Sequence, residues 1–198
     1  MPRLLGDSAA LANIVDFIRS KPDQRLILGI DGFGGSGKST FADRIGDEVL
    51  LTEIVSYDDL YLPEPMRPDF LASRLGIADA YDWLALLNGV LIPFRQRMPC
   101  EYPTLDWETQ EREPTQISPH TRVLIVEGVS CLRPELRESY DYKIWVEAPR
   151  DVRLDRGIAR DGEQMRSEWV DRWMPAEQIY FESSRPDLAV DLVACGIW

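Results

Sequence analysis

The sequence predicts an α/β domain built on a doubly wound parallel sheet, and three observations predict it. Apolar runs, RLILGID, EIVSYDD, TRVLIVEG, DYKIWVEA and LAVDLVA, alternate with segments of helical periodicity, the order that generates β-α-β units. RLILGID is continuously apolar rather than alternating, as a strand covered on both faces must be. The residues with chemistry to offer, Gly32 to Ser39, Asp58 and Asp59, and Glu127, all follow strand ends, where ligands sit in such sheets.

Leu11, Ile14, Val15 and Ile18 fall at helical spacing and predict a helix from about Asp7 to Ser20, with Asp7 or Ser8 as N-cap. After RLILGID, the stretch KSTFADRIGDEVL reads as a helix with Phe41, Ile45 and Val49 inward, and EIVSYDD as a strand ending in acids. The segment from Leu62 to Asp79 is rich in Pro and charge and reads as irregular. YDWLALLNGVLIPFRQ returns to helix, which Pro93 interrupts or ends. TRVLIVEG and DYKIWVEA are two more buried strands. A helical region from Arg150 to about Ser184 is expected to break near Gly162 and at Pro175, and LAVDLVA closes as a strand. With 198 residues and no repeat or linker, the chain is expected to be a single domain over 1–198.

Composition excludes several classes. A net charge of −12 argues against nucleic acid as a partner, because such proteins present a basic face; any anion must be held by a local site. Cys100, Cys131 and Cys195 are an odd number without C-x-x-C spacing, so neither a disulfide framework nor a zinc cluster is expected, and the thiols read as reduced. No run reaches the length of a membrane span, and the N-terminus lacks a signal-peptide core. A cytoplasmic protein without a membrane partner is expected, and a homo-oligomer is left open.

GIDGFGGSGKST holds five of the 13 glycines in twelve residues. Gly32, Gly37, Lys38 and Ser39 match G-x-x-x-x-G-K-[ST], with the strand before and helix after that the phosphate-binding loop (P-loop) requires. The spacing has a physical basis: successive backbone N–H groups must turn inward around phosphate oxygens, and the helix N-terminus adds partial positive charge. Gly32, Gly34, Gly35, Ser36, Gly37, Lys38, Ser39 and Thr40 are therefore the candidate triphosphate cradle. Lys38 would reach the β and γ phosphates, and Ser39 would ligate Mg²⁺. The Asn-Lys-x-Asp signature of guanine-specific switches is absent, as is an ABC-type signature. Small-molecule kinases remain.

A kinase acting on a hydroxyl needs a group to orient the acceptor and take its proton. The only histidine, His120, follows Pro119 at a strand start, so a carboxylate is the natural base. SYDDLY places Asp58 and Asp59 just past the second strand; a solvated turn is the other reading of that pair. Glu127, ending VLIVEG, has the position of a strand-terminal carboxylate that meets magnesium.

Taken in order, GIDGFGGSGKST, SYDDLY, LDWETQER, VLIVEG, RLDRGIARD and LAVDLVA resemble the uridine kinase and phosphoribulokinase group of P-loop kinases over almost the whole chain. The resemblance implies a three-layer P-loop fold, with helices on both faces of the sheet and a small lid at about 157–168. It also implies an acceptor-binding insertion at about 62–115. Asp58 then corresponds to the family's proton acceptor and Tyr61 to the Tyr of its Q-D-x-F-Y loop. Glu127 corresponds to a magnesium-associated acid, and Arg156 and Arg160 to catalytic lid arginines, with Arg166 a looser match on the acceptor. Asp82, Asp106 and Arg112 correspond to further acceptor-binding residues. The family's Y-D-F-x-x-H-x-R is altered here, with Leu105 for the Tyr, Trp107 for the Phe and Gln110 for the His.

The expected function is an ATP- and Mg²⁺-dependent kinase of a small-molecule hydroxyl, a nucleoside among the candidates. The alternatives are a kinase of pantothenate, a sugar or glycerate, and an ATP-binding regulatory protein that transfers nothing. Trp83, Trp107, Trp169 and Trp173 are read either as core or as rings that stack on a base.

Overall fold

In the computed structural model, which describes residues 4–197, the first half contains β1 (Leu4–Leu5), α1 (Asp7–Arg19), β2 (Leu26–Asp31), α2 (Lys38–Glu48), β3 (Thr52–Ser56), α3 (Trp83–Leu86) and α4 (Ile92–Gln96). The second half contains β4 (Cys100–Leu105), β5 (Arg112–Ile117), β6 (Val123–Glu127), β7 (Tyr142–Glu147), α5 (Arg150–Asp161), α6 (Met174–Ser184) and β8 (Leu192–Cys195). Six strands form one parallel sheet in the order β1-β8-β7-β2-β6-β3, while β4 and β5 pair antiparallel as a separate hairpin.

Every residue of β2 and β6 is buried, which places these runs in the middle of the sheet. Successive side chains point to opposite faces. Leu26, Leu28, Ile30, Ile125 and Val146 meet Ile14, Ile18, Phe41 and Ile45 of α1 and α2. Ile27, Val55, Leu124 and Trp145 join the other layer, with Leu86, Phe94 and Tyr180. The result is the expected three-layer α/β sandwich. Register then places the site: Ile30 and Ser56 both lie beside Glu127, so the carboxyl ends of β2, β3 and β6 open onto one edge.

Asp31, the last residue of β2, is fully buried. Its carboxylate accepts hydrogen bonds from Gly32 N (2.7 Å), Ser130 N (2.9 Å), Leu132 N (3.0 Å) and the Tyr180 hydroxyl (2.6 Å). Burial holds its pKa above the ordinary value, against the pull of these four bonds.

Several expectations need correction. α1 begins at Asp7, but its N-cap is Gly6 without a side-chain bond, and Asp7 instead pairs with Arg44. β3 ends at Ser56, and the acids sit on a 3₁₀ turn, Tyr57–Leu60. β8 starts only at Leu192. Neither proline breaks its helix. Wide π turns, Leu87–Leu91 and Glu168–Trp173, precede Pro93 and Pro175, and each proline then occupies the first turn of the next helical segment. The widened turn moves away the carbonyl that the ring would strike, and a missing N–H costs little in a first turn. The β4–β5 hairpin was not among the expected elements, and it contains two prolines, Pro103 and Pro114, which are rare in strands. They face each other in register, and a ribbon of two edges tolerates both.

Asp31→Ala is expected to lower unfolding free energy in urea by about 3 kcal/mol or more, because it strands four buried donors, whereas Tyr180→Phe should cost about 1 kcal/mol. Equal losses in the two variants would contradict the central role of the carboxylate.

Candidate active site

A cleft of about 860 Å³ opens at that sheet edge. One wall is the glycine loop: Gly34, Gly35, Gly37, Lys38, Ser39 and Thr40 border it. Gly35 takes a left-handed φ of 73°, and a Cβ there would lie 2.4 Å from the Arg153 carbonyl oxygen. The loop turns on itself through a bond from Ser36 N to Phe33 O (3.1 Å). α2 starts at Lys38, so the N–H groups of its first turn, which no helical carbonyl can satisfy, stand at the cleft wall. Ser36 Oγ is buried without a partner among the described residues. Gly32 and Ser36 are buried and do not border the cleft themselves. Lys38 is 7% exposed and donates from Nζ to Phe33 O (3.0 Å), leaving further N–H donors for an anion.

Glu127 is 6% exposed at the end of β6 and accepts from Ser39 Oγ at 3.1 Å. Burial pushes its carboxyl up to about 7, against the pull of Lys38 and Ser39. Hydroxyl and carboxylate, from two elements, meet at one point. Among the described residues no group of three or more His, Cys, Asp or Glu could hold a metal. One carboxylate and one hydroxyl fit Mg²⁺, which takes few protein oxygens and completes its shell with phosphate and water.

Asp58 borders the cleft and accepts from the Tyr81 hydroxyl at 3.1 Å. Aromatic packing aims that hydroxyl: Tyr81 stacks on buried Tyr57 (4.5 Å) and meets Tyr61 edge-on (4.9 Å). Asp59 does not line the cleft, and burial beside Asp58 raises its pKa.

Arg156 and Arg160 of α5 also line the cleft. Arg156 donates to Gly35 O (3.3 Å) and Gly196 O (2.8 Å), tying the loop to the segment after β8. Arg160 pairs with Asp161 (2.7 Å), which also accepts from Trp169 Nε1 (2.9 Å). Tyr61, Trp107, Trp169 and Trp173 border the cleft as well.

Asp82, Asp106, Arg112 and Arg166 do not line it. Asp82 caps α3 through Ala85 N (3.0 Å) and pairs with Arg112 (2.9 Å). Asp106 accepts from Glu108 N (2.9 Å) and Thr109 N (2.8 Å) in the hairpin loop, and Arg166 pairs with Glu163. Trp83 lies against Arg133.

Sequence reasoning missed Glu177. This α6 residue is 4% exposed, borders the cleft and accepts from Gly34 N (3.0 Å) and Arg153 Nη1 (3.5 Å). Burial raises its carboxyl to about 7, opposed by Lys38 and Arg153. An acid between Met174 and Tyr180 on the buried face of the helix was the available signal.

The description "Phosphoribulokinase / Uridine kinase family" matches residues 27–171. The chain belongs to this family. Among curated relatives, the uridine kinase of Lactobacillus helveticus is 31% identical over 151 residues, covering 71% of this chain and 70% of its own. That of Clostridium botulinum strain Okra is 32% identical over 145 residues, covering 69% and 68%. Among solved structures, one titled a possible uridine kinase from Bacillus stearothermophilus shares the fold, with a TM-score of 0.72 at 20% identity over 94% of this chain and 98% of that one. Family membership makes this protein a P-loop kinase that phosphorylates a small-molecule hydroxyl.

Glu177, raised from its ordinary 4.5 to about 7, favours the folded state when protonated. Its contribution is present in full below pH 4.5 and is lost as pH rises through about 7. Glu177→Gln keeps an acceptor for Gly34 N and removes the charge. It should stabilise the ligand-free protein by about 1–3 kcal/mol at pH 8 and hardly at all at pH 4.5, read from urea unfolding at both pH values.

Proposed function

We propose that this kinase uses Mg²⁺ and ATP and transfers the γ-phosphoryl group to a hydroxyl held at Asp58. The convergence of the glycine loop, the Ser39–Glu127 contact and Asp58 on one cleft supports this reading. The amides from Gly34 to Thr40 and Lys38 bind the β and γ phosphates. Ser39 and Glu127 would hold magnesium, which when bound would offset charge on the phosphate oxygens. Asp58 orients the acceptor and takes its hydroxyl proton as the acceptor oxygen bonds to phosphorus. The bond to the β-phosphate oxygen breaks, and its electron pair leaves with ADP. The Tyr81 hydroxyl occupies one side of Asp58 and fixes its direction. Arg156 and Arg160 offset charge on the transferring group, with Arg160 carried on a lid at 157–168. Within the acceptor-binding insertion at 62–115, Asp82, Asp106 and Arg112 act by holding the hairpin that presents Trp107, and Arg166 braces the lid through Glu163.

The relatives' name brings uridine forward as an acceptor. Pantothenate, sugars and glycerate belong in the same assay, because Leu105 is buried in the hairpin and Gln110 is bonded within it.

Coupled measurement of ADP with this panel should show acceptor-dependent turnover; none with any acceptor would sink the proposal. Lys38→Ala should lose most nucleotide affinity by calorimetry. Asp58→Asn should bind both ligands yet lose about 100-fold or more in kcat.

A further inference from the structure

Beyond Asp58 and Tyr61 the cleft continues to Arg67, Phe70, Trp107 and Arg172. Arg67 is held from several directions. Its Nε donates to Leu62 O and its Nη2 to Gln110 Oε1 (2.9 Å). Its guanidinium lies 4.5 Å over the Tyr61 ring and 5.8 Å from Trp107. Among the described residues it pairs with no carboxylate, whereas Arg160 and Arg172 on the same cleft each have one. In a chain of net charge −12, a fixed guanidinium that faces the cleft and has no carboxylate partner of its own is a preorganised anion donor. Arg172 stands over Phe70 at 4.9 Å. Burial raises the pKa of the Tyr61 hydroxyl, Arg67 and Arg172 lower it, and Asp58 and Glu168 raise it, so the two cations, the proposed base and Glu168 share one electrostatic neighbourhood.

The same corner is poorly suited to a planar base. Tyr61 and Trp107 stack on each other with centroids 5.4 Å apart, while a ring inserted between them needs about 7 Å, two contact distances. Gln110 spends its oxygen on Arg67 and Glu64 N and its amide nitrogen on Trp107 O, leaving little to read a base edge.

We propose that the acceptor carries an anionic group, a carboxylate or a phosphate, that docks on Arg67 with Arg172 nearby while its hydroxyl meets Asp58. This rests on the kinase reading above.

The test uses the full chain with Mg²⁺ and ATP and acceptor pairs that differ in charge: glycerate and glycerol, pantothenate and pantothenyl alcohol, fructose 6-phosphate and fructose, with uridine as a neutral nucleoside. The charged member of at least one pair should exceed its neutral partner by about 30-fold or more in kcat/KM. The hydroxy acids and the sugar phosphate separate carboxylate from phosphate. Arg67→Gln should raise KM for that acceptor by a similar factor with kcat changed far less, and Arg67→Lys should recover part of the preference. Thermal unfolding of both variants checks that they fold. Turnover of uridine or another neutral compound with no charged compound better would overturn the inference and leave the kinase reading standing. If no acceptor is turned over, the kinase reading fails. Calorimetry with a non-hydrolysable ATP analogue then decides the anion site: charged compounds that bind the wild type and not Arg67→Gln support it, and no binding overturns it.

Discussion

A carboxylate cannot stay in a protein interior unless hydrogen-bond donors meet it, and Asp31 is met by four from three separate stretches of chain. The start of the glycine loop, the turn after β6 and the middle of α6 are thereby held to one point. The rest of the site inherits its accuracy from that point. The loop leaves β2 in a fixed direction, and α6 brings Glu177 against Gly34 N at 3.0 Å. The tyrosine stack does similar work beyond β3, where Tyr57, Tyr81 and Tyr61 brace the turn carrying Asp58.

An acidic chain that binds a polyanion has to arrange its charges locally. Lys38, Arg67, Arg156, Arg160 and Arg172 border the cleft, alongside Asp58, Glu127, Asp161, Glu168 and Glu177. Two of those acids, Glu127 and Glu177, are held near pH 7 by burial, so near neutrality each is only partly charged. Asp161 and Glu168 are spent on Arg160 and Arg172. The balance in the cleft is therefore less negative than its composition suggests, while the outer surface keeps the molecule's excess acid.

The parts of this architecture legible in the sequence were those with local signals. Continuous apolar runs marked the central strands, and the glycine spacing marked the loop between β2 and α2. Acids after strand ends lay close enough to the sheet edge for topology to gather them. Features made by partners distant in sequence were not legible. Pro103 and Pro114 hide a hairpin because they are tolerated only when both strands are edges. Pro93 and Pro175 look like breaks because the π turns that accommodate them leave no clear mark on the apolar pattern. Asp82 and Arg112 looked like two acceptor contacts, yet they face each other; complementary charges 30 residues apart carry no sign of pairing. Glu177 left a partial mark, an acid on the buried face of α6, but its partners Gly34 and Arg153 come from two other elements and left none.

The segment after β8 closes over the back of the glycine loop. A Cβ on Gly196 would lie 2.0 Å from Ser36 O, and Arg156 clasps the carbonyls of Gly35 and Gly196 together. The back of the glycine loop is therefore shaped by residues some 160 positions further along the chain, so a bulkier residue at position 196 would press on the loop from a place with no contact to the cleft.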